Sequence, residues 1–129
     1  MISYSFAGIV IKRSNFGEAH KLVTLFTRDQ GKITLIAKGL RQLTSKRAGS
    51  LELFNYIKGS AVRGRGELDT LTEVQLINSY PNWRKHLGRV TLAYQLCEVV
   101  DKLTPDHQPH PEIFEILKKA IKSYENSDK

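Results

Sequence analysis

Cysteine is nearly missing from this 129-residue chain. Cys97 stands alone, so no internal disulfide and no Cys-x-x-Cys metal pair can form. A single cysteine of this kind reads as a small buried hydrophobe. Long apolar runs are missing too, and none approaches the roughly 20 residues that a bilayer-spanning helix needs. The opening residues Met1-Ile2-Ser3-Tyr4-Ser5-Phe6 lack the charged stretch, apolar core and small-residue cleavage site of a secretory signal. These absences predict a cytoplasmic protein without leader or membrane anchor. Neither Gly-x-x-x-x-Gly-Lys-Ser/Thr nor Gly-x-Gly-x-x-Gly occurs. His20, His86, His107 and His110 are scattered, with no partners at metal-ligand spacing. Glu18, Glu52, Glu67 and Asp69 make no evident acid cluster for two-metal chemistry. Enzymatic machinery, metal and cofactor are therefore not expected, and the chemistry is binding.

Acid is scarce in one part of the chain. Residues 1–80 hold 12 Lys+Arg against 6 Asp+Glu, whereas residues 81–129 hold 8 against 7. Nearly all of the +7 net charge therefore belongs to the first segment. A localised basic field attracts polyanions and speeds their capture.

That segment is patterned as strands. Phe6–Lys12 is rich in β-branched residues. Leu22, Thr24 and Phe26 alternate along His20–Thr27. Ile33, Leu35 and Ala37 alternate with Thr34, Ile36 and Lys38. Two further runs span Glu52–Val62 and Leu68–Tyr80. Short β-branched and aromatic runs bounded by Gly, Asn, Asp and Ser are strand signals. Asn15-Phe16-Gly17-Glu18 reads as the first connection. Asp29-Gln30-Gly31 reads as a tight hairpin in which Gly31 takes positive φ. Five strands joined in this way predict a small barrel or sandwich.

The period changes at Pro81. Tyr80, preceding proline, is expected to be extended, and Pro81 suits a helix start. Trp83, Leu87, Val90, Tyr94 and Cys97 follow at helical spacing and predict an amphipathic helix to about Leu103. Thr104–Pro109 breaks it. A second helix starts near Pro111, with Ile113, Leu117, Ala120, Ile121 and Tyr124 as its apolar stripe. The helices offer more apolar surface than they can bury on each other, so part of the first should pack on the barrel.

Two loops concentrate the cations. Lys38–Ser50 carries Lys38, Arg41, Lys46 and Arg47 with no acid, and Lys58–Gly66 carries Lys58, Arg63 and Arg65 with no acid. Gly and Ser punctuate both, which predicts mobile loops whose backbone can approach a phosphate chain. Such loops beside a barrel face suit a groove that tracks a sugar–phosphate backbone. They would grip phosphates and position a strand without reading its sequence. Phe16, in a loop near Arg13, is the candidate for base stacking, whereas Phe54 and Tyr56 share one face of a strand and read as core.

Gly8-Ile9-Val10-Ile11-Lys12-Arg13, Phe16-Gly17-Glu18, Lys21-Leu22-Val23-Thr24-Leu25-Phe26-Thr27 and Gly31-Lys32-Ile33-Thr34-Leu35-Ile36-Ala37-Lys38-Gly39, in this order, resemble the start of the bacterial RecO recombination and DNA-repair proteins. Leu71-Thr72-Glu73-Val74 and the stretch from Ala93-Tyr94 to Leu103 are similar as well. The resemblance implies a five-stranded OB-fold (oligonucleotide-binding) barrel over residues 1–80. A two-helix segment over 81–129 would be the start of a helical domain. It implies a non-enzymatic protein that binds single- and double-stranded DNA and anneals complementary strands. With RecR-like and RecF-like partners, it would help load a recombinase onto DNA coated by single-strand-binding protein. By position, Arg13, Lys38, Arg41, Lys46, Arg47, Arg63 and Arg65 match the family's basic barrel surface and loops, and with Lys58 and Phe16 from the reading above they are the DNA-binding candidates. Family members usually continue for about another hundred residues with further helices and often a Cys-rich zinc site. No zinc is expected in this chain. Two other uses of the same parts are an adaptor that docks a RecR-like protein, with DNA contact secondary, and an RNA-directed barrel.

Overall fold

The structure is a computed structural model, and it describes residues 2–17, 20–38, 49–66 and 68–126. Five strands run β1 (Ser3–Phe16), β2 (His20–Thr27), β3 (Gly31–Ala37), β4 (Tyr56–Val62) and β5 (Asp69–Asn78). A 3₁₀ turn (Pro81–Trp83) and helices α1 (Leu87–Leu103) and α2 (Pro111–Asn126) follow. The strands close into a barrel in the order β1-β2-β3-β5-β4. All pairings are antiparallel except β3 with β5, which meet in parallel through Leu35↔Asp69 and Ile36↔Thr70.

Strand alternation divides the apolar residues into two cores. Side chains of one parity point into the barrel, where Phe6, Val10, Val23, Leu25, Ile33, Leu35, Ile57, Ala61 and Leu71 form its interior. The register shift between Val10 and Lys12 is a bulge, which bends β1 and increases its twist. Ile9, Ile11 and Phe26 instead join a cluster with Trp83, Ala93, Cys97, Val100, Phe114, Leu117 and Ile121. The helices therefore pack on the outside of the barrel and complete a second core there. Cys97 is buried, as expected.

Polar contacts reinforce this seam. Lys32, on β3, donates from Nζ to the Asp101 main-chain oxygen at 2.6 Å and to its carboxylate at 3.1 Å. The segment between the helices forms a parallel bridge from Asp106 to Lys32, and the His107 N–H donates to the Lys32 carbonyl at 2.9 Å.

Several local expectations are corrected. β1 extends through Asn15 and Phe16, and Phe16 pairs with His20, so Phe16 ends a strand and is not in a loop. Glu52–Asn55 is not strand, and β4 begins only at Tyr56. Phe54 sits in the turn before it at φ 73°, so it does not share a strand with Tyr56, although it is buried in the second core and Tyr56 packs against the same cluster. Tyr80 is not extended: it adopts φ 48°, ψ 63°. Its N–H donates to Asn78 Oδ1 at 2.9 Å and its ring lies in the second core, and this packing outweighs the local preference imposed by Pro81. Pro81 opens a 3₁₀ turn, and α1 starts only at Leu87. The helical spacing misassigned two residues of the first stripe: Leu87 and Tyr94 are exposed, and Ala93, Cys97 and Val100 face the barrel. Phe114 joins the predicted stripe of α2.

Candidate nucleic-acid interface

The cations of the barrel differ in what they touch. Lys32 is consumed by the seam. Lys12 lies 3.8 Å from Asp101, and Arg28 lies 3.5 Å from Glu115. Lys38, Lys58, Arg63 and Arg65 are exposed, and among the described residues none has a carboxylate within ion-pair distance. Arg41, Lys46 and Arg47 lie outside the described residues.

The second basic loop is held at its base. The Arg63 N–H donates to the Ile2 carbonyl at 2.8 Å, and the Gly64 N–H donates to Asp69 Oδ1 at 2.9 Å. The Tyr4 hydroxyl donates to the other Asp69 oxygen, and the Arg63 guanidinium stands 5.6 Å from the centre of the Tyr4 ring. Burial, followed by the Asp69 hydrogen bond, pushes the Tyr4 phenol well above its ordinary range, so it remains a donor. Composition suggested a mobile loop. The anchored stem shows that Arg63 is presented from a fixed backbone, which lowers the entropic cost of gripping a ligand.

The candidates do not converge on one cleft. Lys58 lines an open groove of about 970 Å³ across the outer face of β1, β4 and β5, with Ser5, Tyr56, Ser60, Thr72 and Gln75. Arg63 borders a second depression with Tyr4 and Asp69. Arg13 lines a third at the junction of barrel and helices. Phe16 is 43% exposed at the end of β1, an accessible position for stacking. Tyr56 is half-buried, and its ring carries Lys118 Nζ 4.9 Å from the centroid.

Sequence reading missed Arg84. Its Nε donates to Ser79 O at 2.9 Å, Nη1 to Leu53 O at 2.8 Å, and Nη2 to Asn55 Oδ1 at 2.6 Å. The guanidinium also packs over Phe54 and Trp83 at 5.7 and 5.6 Å. Burial lowers its pKa below the ordinary arginine value. The adjacent Trp83-Arg84 pair was the available signal, since arginine stacks readily on indole. No group of three or more metal-ligating side chains converges among the described residues, and no helix there is long and apolar enough to cross a membrane.

A closed five-stranded barrel of this strand order is an OB fold, a class that binds oligonucleotides and oligosaccharides. Residues 1–80 match the family described as recombination protein O N terminal, and residues 84–129 match recombination protein O C terminal. The chain belongs to the RecO family of DNA repair proteins. It is 38% identical over 108 residues to the DNA repair protein RecO of Symbiobacterium thermophilum, covering 84% of this chain and 42% of that one. With RecO of Halalkalibacterium halodurans the identity is 36% over 114 residues, covering 88% and 44%. The chain thus spans a little under half the length of these relatives. Among solved structures it is similar to the S. pombe Stn1-Ten1 complex, with 16% identity, a TM-score of 0.45, and coverage of 78% of this chain and 76% of that one.

Proposed function

We propose that this chain is a non-enzymatic DNA-binding module of recombinational repair. Residues 1–80 would be the nucleic-acid-binding domain and residues 81–129 the start of the helical domain. The observation that carries the reading is the set of exposed barrel cations, Lys38, Lys58, Arg63 and Arg65, that no described carboxylate neutralises. Phosphates are the chemistry that such cations accept, and their counterions are released on binding. Cations placed on several sides of one barrel can hold single strands and duplex, and can bring complementary strands together for annealing. Membership of a DNA-repair family supports extending the proposal to recombinase loading with RecR-like and RecF-like proteins, to contact with single-strand-binding protein, and to a cytoplasmic location. Fluorescence anisotropy with single-stranded and duplex DNA across a salt series tests the reading. Affinity for single strands should fall with a log–log slope of about −0.7 per phosphate contacted. A flat response refutes it.

One observation favours a protein-docking role beside this. Leu92, Val99 and Leu103 on α1 are 51, 50 and 75% exposed, an apolar stripe of the kind that marks protein contact. Capture of a RecR-like protein at high salt by a chain with no measurable DNA affinity would make docking the primary role.

A further inference from the structure

The third depression holds chemistry that the barrel cations do not account for. Its volume is about 240 Å³, which suits one phosphate group with the attached base left at the open rim. Arg13 from β1 and Arg84 from the end of the 3₁₀ turn supply charge, Tyr94 supplies exposed ring surface, and Glu52 is the one acid among the described lining residues. Phe54 and Tyr94 meet edge to face at 5.2 Å.

Two features mark it as a site for a ligand. The Arg13 Nε is buried and has no hydrogen-bond partner among the described residues, although buried donors are nearly always satisfied. Arg84 has its guanidinium fixed by three acceptors and two rings, so its two remaining N–H groups have settled directions. Glu52 is exposed and makes no ion pair with either arginine, so the pocket keeps a net positive charge. A pre-oriented guanidinium with an unspent donor nearby fits the oxygens of a phosphate. The half-exposed Tyr94 ring beside them fits the face of a base.

We infer that this pocket seats one nucleotide of a bound strand, its phosphate on Arg13 and Arg84 and its base against Tyr94. The seat rests on the nucleic-acid reading above and extends it, because it carries the strand off the barrel onto the helical segment. It also gives Arg84 a second role besides joining the turn to the barrel.

The test is NMR of arginine Nε–H resonances during titration of the 129-residue chain with an eight-nucleotide oligothymidine, alongside anisotropy on variants. The Arg13 resonance should shift saturably. Arg13→Gln should weaken oligothymidine binding about tenfold, the loss of one charged hydrogen bond, with an unchanged urea midpoint. Glu52→Gln, an exposed change, should tighten binding about twofold. Oligothymidine that binds while the Arg13 resonance stays fixed and both variants match wild type overturns the seat and leaves the DNA reading standing. No binding at any salt overturns the DNA reading and the seat with it. A shift of Arg13 by an acidic peptide and not by oligothymidine overturns the seat in favour of a protein ligand.

Discussion

Lys32 and Asp101 join the two halves of the molecule. The Lys32 side chain is 11% exposed, and its ammonium donates to both the carbonyl and the carboxylate of Asp101 across the boundary between β3 and α1. Asp106 lies a further 3.8 Å from the same ammonium. Lys32→Met should therefore destabilise the chain by about 1–3 kcal/mol, since it leaves acceptors at a partly buried site without their donor. Urea unfolding measures this. Lys12→Met, which removes only an exposed lysine 3.8 Å from the same carboxylate, should cost under about 1 kcal/mol.

Gly31 and Gly17 provide a matched pair. Both have positive φ, 73° and 68°. A Cβ on Gly31 would come within 2.4 Å of the Gln108 main chain, whereas one on Gly17 would meet nothing within 4 Å among the described residues. Gly17→Ala should cost about 1–2 kcal/mol from the left-handed backbone alone. Gly31→Ala should cost more, because the segment between the helices must also lift from the hairpin. Thermal unfolding of the two variants should rank them in that order.

Cys97 carries a pH dependence. Burial raises its thiol pKa from 9.0 to about 12. Between those values the unfolded chain loses the proton that the folded chain keeps, so the unfolded state is favoured as pH rises. The contribution is constant below about pH 9 and is lost progressively up to about pH 12. Cys97→Ala should flatten this part of the stability profile measured by denaturant titration. A thiol reagent at pH 8 should label Cys97 only in denaturant, because the thiolate is the reactive form.

Arg63 and Arg65 are predicted to grip phosphates. Their joint reversal to Glu should weaken binding of all DNA sequences alike. The salt slope for single strands should fall by about 0.7 for each phosphate no longer neutralised. A sequence-selective effect in an anisotropy panel would contradict phosphate gripping. Matched DNA and RNA strands in the same panel separate a DNA-directed barrel from an RNA-directed one, because basic loops alone do not read the 2′-hydroxyl.

Much of the strand pattern was legible because alternation is a local property. Val23 and Leu25 face the interior while Leu22, Thr24 and Phe26 face out, as their spacing required. The hairpin at Gly31 and the stripe of α2 were legible for the same reason. Phe54 and Tyr80 were not, because both left-handed residues are buried in the second core and the Phe54 N–H donates to the distant Val10 carbonyl, contacts that exist only in the fold.

The candidate site divides in the same way. Charge excess and acid-free loops are properties of composition, so the basic character of residues 1–80 was evident from the residues alone, as were the alternation that builds five strands and the change of period at Pro81. The tertiary structure decided which cations are spent and which are free. Lys32 is held at the seam, Arg84 is locked against Trp83 and Phe54, and Lys58 and Arg63 stand clear of any described carboxylate. An ion pair depends on distances across the barrel and between it and the helices, and those distances exist only once the sheet has closed and the helices have docked on it.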